Sequence, residues 1–386
     1  MVAGMGVLLL LVGYFLGFYF LDNAVAGLTI ALIVWAVMTL FAFFQGDGIL
    51  LALSRAKKIS RDDHPRLYNV VEEMKIASGL EKMPDIYIID DPALNAFATG
   101  RNPDKASVAI TSGLLAKLNR DELQGVIAHE ISHVKNRDVL LMAITAVLLG
   151  SIVILAWYAT RILFFSSMTG GRRSSGGGGQ AQIIILIAGI ALMILAPIIA
   201  QFIYFAISRK REYLADASSA LYTRYPEGLA SALEKLGAST GQLKSANKAT
   251  APMYILNPFR KKGRAAANLT STHPPITERI RILRSMAGGA SFAEYDSAYS
   301  KVHRGGGSIV PAATLAAVGA VSLRAAAVEA TPGEDREKRV RQTSELMWRL
   351  GNYKTITCDC GTKLRVPPKF KKSKIRCPHC GRLHQV

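Results

Sequence analysis

Four stretches of the chain are mostly apolar and carry no charged side chain. They cover residues 5–21, 24–44, 139–159 and 183–207. A hydrocarbon core of ~30 Å takes ~20 helical residues, and in lipid each backbone N–H must be bonded within its own segment. The pattern therefore predicts four transmembrane helices, with Pro197 and Gln201 as the only interruptions of the fourth. A cleaved signal peptide is the alternative for the first stretch, but no basic region precedes it and a second apolar stretch follows directly.

The polar segments between these spans carry strand and helix patterns. Asp85–Ile89 and Ser107–Thr111 are short runs that predict β-strands lying between helices. Residues 208–300 are predicted to be mainly helical. Glycine-rich stretches near 174–179 and 305–307 predict flexible connections. The apolar run 311–323 is too short to be assigned as a span, and whether it contacts the membrane stays open.

Basic residues accumulate beside particular ends of the predicted spans. The second span is followed by Arg55, Lys57, Lys58, Arg61 and Arg66, and the fourth by Arg209, Lys210 and Arg211. The first connection carries only Asp22, and the third carries Arg161, Arg172 and Arg173. Because positive charge marks the cytoplasmic side, this bias predicts both termini and both large polar segments in the cytoplasm.

Composition narrows the class of protein. Half of the 386 residues are hydrophobic, yet Lys and Arg outnumber Asp and Glu by 47 to 28, for a net charge of +19. The apolar mass excludes a disordered chain, and the confinement of all four cysteines to 358–380 excludes a disulfide-stapled secreted protein. Of the excess positive charge, +9 lies in residues 333–386, which hold 14 Lys and Arg against 5 Asp and Glu.

The sequence His129-Glu130-Ile131-Ser132-His133 matches the pattern H-E-x-x-H. Asn119 and Glu122 predict a capped helix start, so both histidines lie one turn apart on one helix face and could share a metal ion. Glu130 then sits where its carboxylate reaches a metal-bound water rather than the metal. The alternative is a pair of surface histidines on an amphipathic helix.

A third ligand is available just after the fourth span. A carboxylate at Glu212 would complete a site of two histidines and one glutamate, the pattern of catalytic zinc with one open position. Asp216, one turn further, could accept the free ring N–H of a ligand histidine. His133 precedes the third span by roughly 9 Å of helix and Glu212 follows the fourth by roughly 8 Å. If the two spans pack together, the ligands emerge at the same depth. An ordinary ion pair is the alternative for Glu212.

On these residues the chain resembles the HtpX-type membrane zinc metalloproteases, which are related to the CAAX prenyl proteases. The resemblance covers roughly residues 1–285 and includes the metal motif, 136–138, 211–216, 95–100 and 273–279. It implies His129, His133 and Glu212 as zinc ligands and Glu130 as the catalytic glutamate. It also implies that Asn95 lines the substrate cleft and that His273 and Arg279 face the tetrahedral intermediate. His64 and His303, which lie in no motif, are expected to face solvent.

The C-terminal tail carries a second cysteine-based pattern. Cys358, Cys360, Cys377 and Cys380 predict a zinc ribbon with a closed structural site, and a redox disulfide is the alternative. Nearby basic residues suit a membrane surface or an acidic protein: Lys369, Lys371, Lys372, Lys374 and Arg376. Only Phe370 interleaves with them, so nucleic acid is not expected as a partner.

The sequence thus predicts a multi-pass α-helical membrane protein with a cytoplasmic α-rich (α+β) zinc metalloprotease domain and a small C-terminal zinc ribbon. The predicted divisions are two spans (1–46), the first protease part (47–138), two spans (139–207), the second protease part (208–300), a linker (301–350) and the ribbon (351–386). The resemblance implies peptide-bond hydrolysis and turnover of damaged membrane proteins in the cell membrane, as a stress response. A CAAX-like C-terminal processing protease and a non-proteolytic adaptor that recruits partners through the ribbon are the alternatives.

Overall fold

The structure, a computed structural model, describes most of the chain. The described residues are 1–168, 179–239, 254–255, 271–286, 288–304, 307–315, 319, 321–327, 332–370 and 372–386. Most of the predicted glycine-rich connections (174–178, 305 and 306) and Lys371 of the basic patch lie outside them.

Helices dominate the described residues. They are α1 (Val2–Phe20), α2 (Ala24–Leu53), α3 (Pro65–Ser78), α4 (Ser112–Lys117), α5 (Arg120–Lys135), α6 (Asp138–Met168), α7 (Gly179–Thr223), α8 (Pro226–Ala238), α9 (Ile276–Arg284), α10 (Phe292–Val302), α11 (Ala312–Leu315) and α12 (Pro332–Leu350). The strands are β1 (Lys57–Ile59), β2 (Asp85–Ile89), β3 (Ala96–Thr99), β4 (Ser107–Thr111), β5 (Lys354–Thr357), β6 (Lys363–Val366), β7 (Lys374–Arg376) and β8 (Leu383–Gln385).

Four of the described helices are long and apolar enough to cross a membrane, as predicted: α1, α2, α6 and α7. Their shared core includes Met5, Leu9 and Ile152, whereas large apolar side chains such as Phe41 and Ile194 are exposed, as lipid-facing residues would be. Gly17 and Gly27 let α1 and α2 touch, since a Cβ on Gly17 would lie 2.7 Å from the Gly27 Cα. This close approach of small residues is typical of helix pairs in membranes.

Helix α7 continues far beyond the apolar run that predicts it. It spans 45 residues, passes through Pro197 and carries Glu212 and Asp216 in its second half. One rigid element therefore joins the membrane bundle to the polar domain. The helix is continuous from the fourth span to Glu212, the residue predicted as the third metal ligand.

The polar domain contains a four-stranded sheet in the order β1-β2-β4-β3. The two predicted strands are β2 and β4, which pair in parallel with Asp85 opposite Ser107. Strand β3 runs antiparallel to β4 with Ala96 opposite Ile110, so it is at an edge of the sheet. Helix α5 packs beneath this edge and reaches the core of the domain through Val126 and Ile127.

The interval predicted to be a linker, 301–350, contains structure packed on the protease domain. Val310 is buried, and Leu346 of α12 enters the main core. Arg324 donates to Asp121 at the start of α5 and to the Thr223 carbonyl at the end of α7. Among the described residues of the unassigned run 311–323, Ala312–Leu315 form only the short helix α11.

His64 and His303 do not face solvent as expected. His64 is only 3% exposed and caps α3, where its Nδ1 accepts the Leu67 N–H at 3.1 Å. His303 is half-buried, and its Nε2 lies 2.8 Å from Glu278. The prediction was wrong because a cap or an ion-pair role leaves no motif around a histidine.

Candidate active site

Helix α5 presents both histidines of the metal motif toward the domain interior. Its start carries the predicted capping box, in which Asn119 and Glu122 each accept the other's backbone N–H at 2.9 Å. The cap fixes where the helix begins and therefore which face carries His129 and His133. Their Nε2 atoms lie 3.2 Å apart, and His129 is fully buried.

Glu212 of α7 reaches both imidazoles. Its Oε1 lies 3.4 Å from His133 Nε2, and its Oε2 lies 3.6 Å from His129 Nε2. Ligands in a tetrahedral zinc site with bonds of 2.0–2.1 Å lie about 3.4 Å from one another. The observed spacings are 3.2, 3.4 and 3.6 Å, and the last two run to different oxygens of Glu212. They fit one zinc ion held by the two Nε2 atoms and the Glu212 carboxylate.

Each histidine has a carboxylate behind it. Asp216 Oδ1 lies 3.0 Å from His129 Nδ1, the contact predicted for it. Asp138 Oδ2 lies 2.9 Å from His133 Nδ1, a contact that sequence reasoning missed although Asp138 lies within the resembling segment 136–138. Such bonds fix the tautomer so that Nε2 can bind the metal. Burial lowers the pKa of His133, but hydrogen bonds to Asp138 and Glu212 outweigh it and raise the pKa to about 10. The carboxylates around His133 thus favour a positive charge at this position.

Arg279 lies behind the same group, with its side chain fully buried. Its Nε and Nη2 donate to the two oxygens of Asp216 at 2.8 and 2.7 Å. Its Nη1 lies 3.1 Å from Glu212 Oε2. The guanidinium thus contacts one proposed ligand and the carboxylate that supports another.

Glu130 is buried beside the histidines, on the side of β3. Burial raises the pKa of its carboxyl, and a hydrogen bond from the Ala98 backbone acts in the opposite direction. Its Oε1 has no hydrogen-bond partner among the described residues. A carboxylate of raised pKa with one oxygen available is suited to general acid–base chemistry.

His273 is buried on the far side of Glu212, in the segment before α9. Its Nδ1 lies 2.9 Å from the Thr272 hydroxyl, and its Nε2 lies 3.9 Å from Glu212 Oε1. Burial lowers the pKa of this imidazole, which favours the neutral ring. If the Thr272 hydroxyl donates to Nδ1, the ring carries its proton on Nε2, the atom that points into the site.

Asn95 immediately precedes the edge strand β3, as the substrate-binding prediction requires. Its Oδ1 accepts the Ala96 N–H at 3.1 Å, and its backbone N–H donates to Thr111 at 3.0 Å. The outer edge of β3 also meets Ile255, whose N–H donates to the Ala96 carbonyl at 3.0 Å. The backbone N–H of Ala98, in the same strand, donates to the Glu130 carboxylate. The strand that Asn95 precedes therefore lies next to Glu130.

The four cysteines come together at the far end of the described tail. The Sγ atoms of Cys358 and Cys380 lie 3.4 Å apart, and those of Cys360 and Cys377 lie 3.7 Å apart. All four sulfurs lie within 4.8 Å of one another. Zinc–sulfur bonds of 2.3 Å imply sulfur separations of about 3.8 Å, so the cluster also fits one ion.

Known proteins resemble this chain over most of its length. "Protease HtpX homolog" sequences from Dictyoglomus turgidum and Streptococcus mutans are each 46% identical to it. The first match covers 67% of this chain and 82% of that protein over 260 residues; the second covers 72% and 93% over 280 residues. The crystal structure of S. mikatae Ste24p covers 72% of this chain and 62% of its own, at 22% identity and a TM-score of 0.43.

A family model agrees with these relatives. The model described as "Peptidase family M48" matches residues 61–287, which include both metal-motif histidines and Glu212. The resemblance to HtpX-type proteases is thereby confirmed. This chain belongs to peptidase family M48 and is a membrane metalloprotease.

Proposed function

We propose that the chain is a zinc-dependent endopeptidase whose reaction takes place at His129, His133 and Glu212. The observation that carries this proposal is that two separate helices bring one ligand atom from each of three residues to within 4.8 Å of one another. Metalloproteases of family M48 use zinc. Zinc held here would supply the Lewis acidity that activates water and polarises the scissile carbonyl.

Glu130 is proposed as the general base. Its buried carboxyl, with a raised pKa, would accept the proton of the attacking water and later pass it to the leaving amine. A pKa above the usual glutamate value brings the group closer to neutral pH, where accepting and releasing a proton are both feasible. The Ala98 N–H holds the carboxylate beside β3, where a bound peptide would lie.

His273 is proposed to donate a hydrogen bond to the developing oxyanion. Its Nε2 is buried without a hydrogen-bond partner in the described part of the chain. A neutral imidazole that carries its proton on Nε2 can donate without the cost of burying a second positive charge beside Arg279.

Arg279 is proposed to position ligands, because its contacts favour that role over the predicted contact with the intermediate. Its two bonds to Asp216 orient the carboxylate that supports His129. Its proximity to Glu212 also compensates the negative charge that two carboxylates bring into the interior.

The substrate is proposed to add as an extended strand along β3, clamped at one end by Asn95. The Ala96 N–H and carbonyl on the outer edge of β3 are bonded to Asn95 and Ile255, so a peptide would pair with this strand by replacing those two contacts. The contact of Ala98 with Glu130 supports this arrangement, because a peptide paired there would place its backbone next to the catalytic carboxylate.

We propose that the active site and both termini face the cytoplasm. Arg209, Lys210 and Arg211 directly follow the apolar part of α7, and basic residues favour the cytoplasmic side. His133 lies shortly before the apolar run of α6, and Glu212 lies shortly after the apolar run of α7. The site is therefore held close to the bilayer surface. Substrates are therefore proposed to include membrane proteins, with quality control as the physiological role.

The cysteine cluster is proposed to bind a second, structural zinc ion. Each pair of cysteines lies in the turn of a short hairpin, the first between β5 and β6 and the second between β7 and β8. Gly361 and Gly381 adopt positive φ angles of 84° and 76° after the second cysteine of each pair. Backbone N–H groups in these turns bond the cysteine sulfurs, and the positive φ angles favour glycine although a Cβ would meet open space. The basic patch beside it is proposed to contact acidic lipid or protein.

Exchange of the general base tests the proposal. Glu130→Gln should lower cleavage of a labelled unfolded polypeptide by about 10²–10⁴-fold, because the amide cannot take a proton. Zinc content should stay equal to that of the unmodified chain, since Glu130 is not a ligand. Substantial cleavage by the purified variant would contradict the assigned role.

The quality-control role needs a separate test. Two reporters with the same transmembrane span, one fused to a stable cytoplasmic domain and one to a destabilised version, should be cleaved at different rates. Faster cleavage of the destabilised reporter, abolished by Glu130→Gln, is expected. Equal rates would contradict quality control while leaving the peptidase assignment intact.

A further inference from the structure

A cavity of about 210 Å³ lies where the membrane bundle meets the protease domain. Its apolar lining includes Leu141 at the start of α6, Ile207 and Leu214 on α7, and Ile309 from the C-terminal segment. None of these residues belongs to the metal site. The cavity is smaller than a typical ligand pocket, so it would hold only part of a large molecule.

Two basic side chains also line the cavity, Lys210 and Arg211. Lys210 is exposed and has no ion-pair partner among the residues that the structure describes. Arg211 is paired with Asp138, and its Nε is buried without a hydrogen-bond partner in the described part of the chain. One cation and one N–H donor are thus available beside an apolar chamber.

The cavity lies at the depth of lipid headgroups. Lys210 comes three residues, roughly 5 Å of helix, after the last residue of the apolar run 183–207. Leu141 lies in the first turn of α6, at the matching end of the neighbouring span. Phosphate groups of a bilayer therefore lie level with Lys210, and acyl chains lie level with the apolar residues before it.

The outer wall of the cavity comes from a segment beyond the residues matched by the family model. Asp296 fixes this segment, because its Oδ1 accepts the Ile309 N–H at 2.8 Å and the Ser308 hydroxyl at 3.0 Å. Val310 is buried between the cavity-lining residues Ile309 and Pro311. The wall is therefore a built part of the fold, held by specific hydrogen bonds.

We propose that this cavity is a binding site for one anionic phospholipid. Lys210 and the Arg211 Nε–H would bind the phosphate, and part of one acyl chain would lie against Leu141, Ile207 and Ile309. The rest of the lipid would stay in the surrounding bilayer. Lys210 and Arg211 lie between the apolar residues Ile207 and Leu214 along α7. A cleft that combines cationic groups with apolar walls matches an amphiphile with one negative end.

The test measures bound lipid and does not depend on proteolysis. Full-length Glu130→Gln protein is equilibrated in detergent micelles with equal phosphatidylglycerol and phosphatidylcholine, and retained lipid is counted by native mass spectrometry. Phosphatidylglycerol should be retained about fivefold over phosphatidylcholine. Lys210→Glu should lower phosphatidylglycerol retention by about 30-fold, since it replaces attraction by repulsion. Ile309→Asp should lower retention of both lipids.

The matched control is Lys82→Glu, which makes the same charge change at an exposed lysine that does not line the cavity. It should retain lipid as the parent protein does. Equal retention by Lys210→Glu and Lys82→Glu, or no preference for phosphatidylglycerol, would overturn the proposal. Displacement of the lipid by millimolar inorganic phosphate would indicate a free-phosphate site, and displacement by an apolar substrate peptide alone would indicate a peptide site; either also overturns it.

Discussion

Neighbouring residues on α5 have different surroundings, and this difference separates their roles. His129 is held from behind by Asp216 at 3.0 Å, which leaves its Nε2 directed toward Glu212. Glu130, the next residue, has a carboxylate oxygen without a partner among the described residues and a pKa raised by burial. The helix therefore carries the proposed metal ligand and the proposed proton acceptor at consecutive positions.

Asp138 provides a prediction at the residue scale. Asp138→Asn weakens the hydrogen bond that orients His133, so zinc affinity should fall by about 10–100-fold. The measurement is a chelator titration of zinc in a Cys358→Ser/Cys360→Ser background, which removes the contribution of the cysteine cluster.

Asp104→Asn is the matched control, because it removes the same charge from an exposed carboxylate outside the site. Its titration should coincide with that of the background protein. If Asp138→Asn also coincides with the background, then Asp138 does not support His133 and its contact is only an ion pair with Arg211.

At the scale of elements, the metal site depends on the relative position of α5 and α7. The Ser219 hydroxyl of α7 donates to the Gly125 carbonyl of α5 at 2.8 Å. At the ends of the same helices, Arg324 donates to Asp121 of α5 at 2.7 Å and to the Thr223 carbonyl of α7 at 2.9 Å. The C-terminal segment thus fastens together the two helices that carry the proposed ligands.

Removal of this clamp should loosen the site. Arg324→Ala should lower the free energy of unfolding by about 2 kcal/mol, since it removes hydrogen bonds to a charged group from a side chain that is 28% exposed. Thermal unfolding of the purified protein, with unfolding of its zinc-free form alongside, measures the change.

Arg341→Ala serves as the comparison, because within the described part of the chain Arg341 makes only an exposed ion pair with Glu345, one turn away on α12. Its effect should lie within about 0.5 kcal/mol. An equally small effect of Arg324→Ala would show that the C-terminal segment lies on the domain without stabilising it.

Across the whole molecule, features determined by short sequence patterns or by the thickness of a lipid bilayer could be predicted from the sequence. The strands at 85–89 and 107–111, the capping box at Asn119 and the four membrane-length helices all follow from such short-range signals. The convergence of Glu212 with the histidines was also predictable, because spans α6 and α7 bring their ends to one depth.

Contacts made by single side chains across distant segments could not be predicted in the same way. Asp138 supports His133 through a side-chain rotamer, and His64 caps a helix without any surrounding motif. The packing of α12 depends on Leu346 meeting a core formed by residues far earlier in the chain. An amphipathic, highly charged helix gives no sequence signal for where its apolar side docks.

The central claim is that one zinc ion is held jointly by α5 and α7, and zinc content per chain tests it most directly. The unmodified protein should contain two zinc ions, and both His129→Ala/His133→Ala and Glu212→Ala should contain one, still bound by the four cysteines. Retention of two ions by Glu212→Ala, at the affinity of the unmodified protein, would contradict the account.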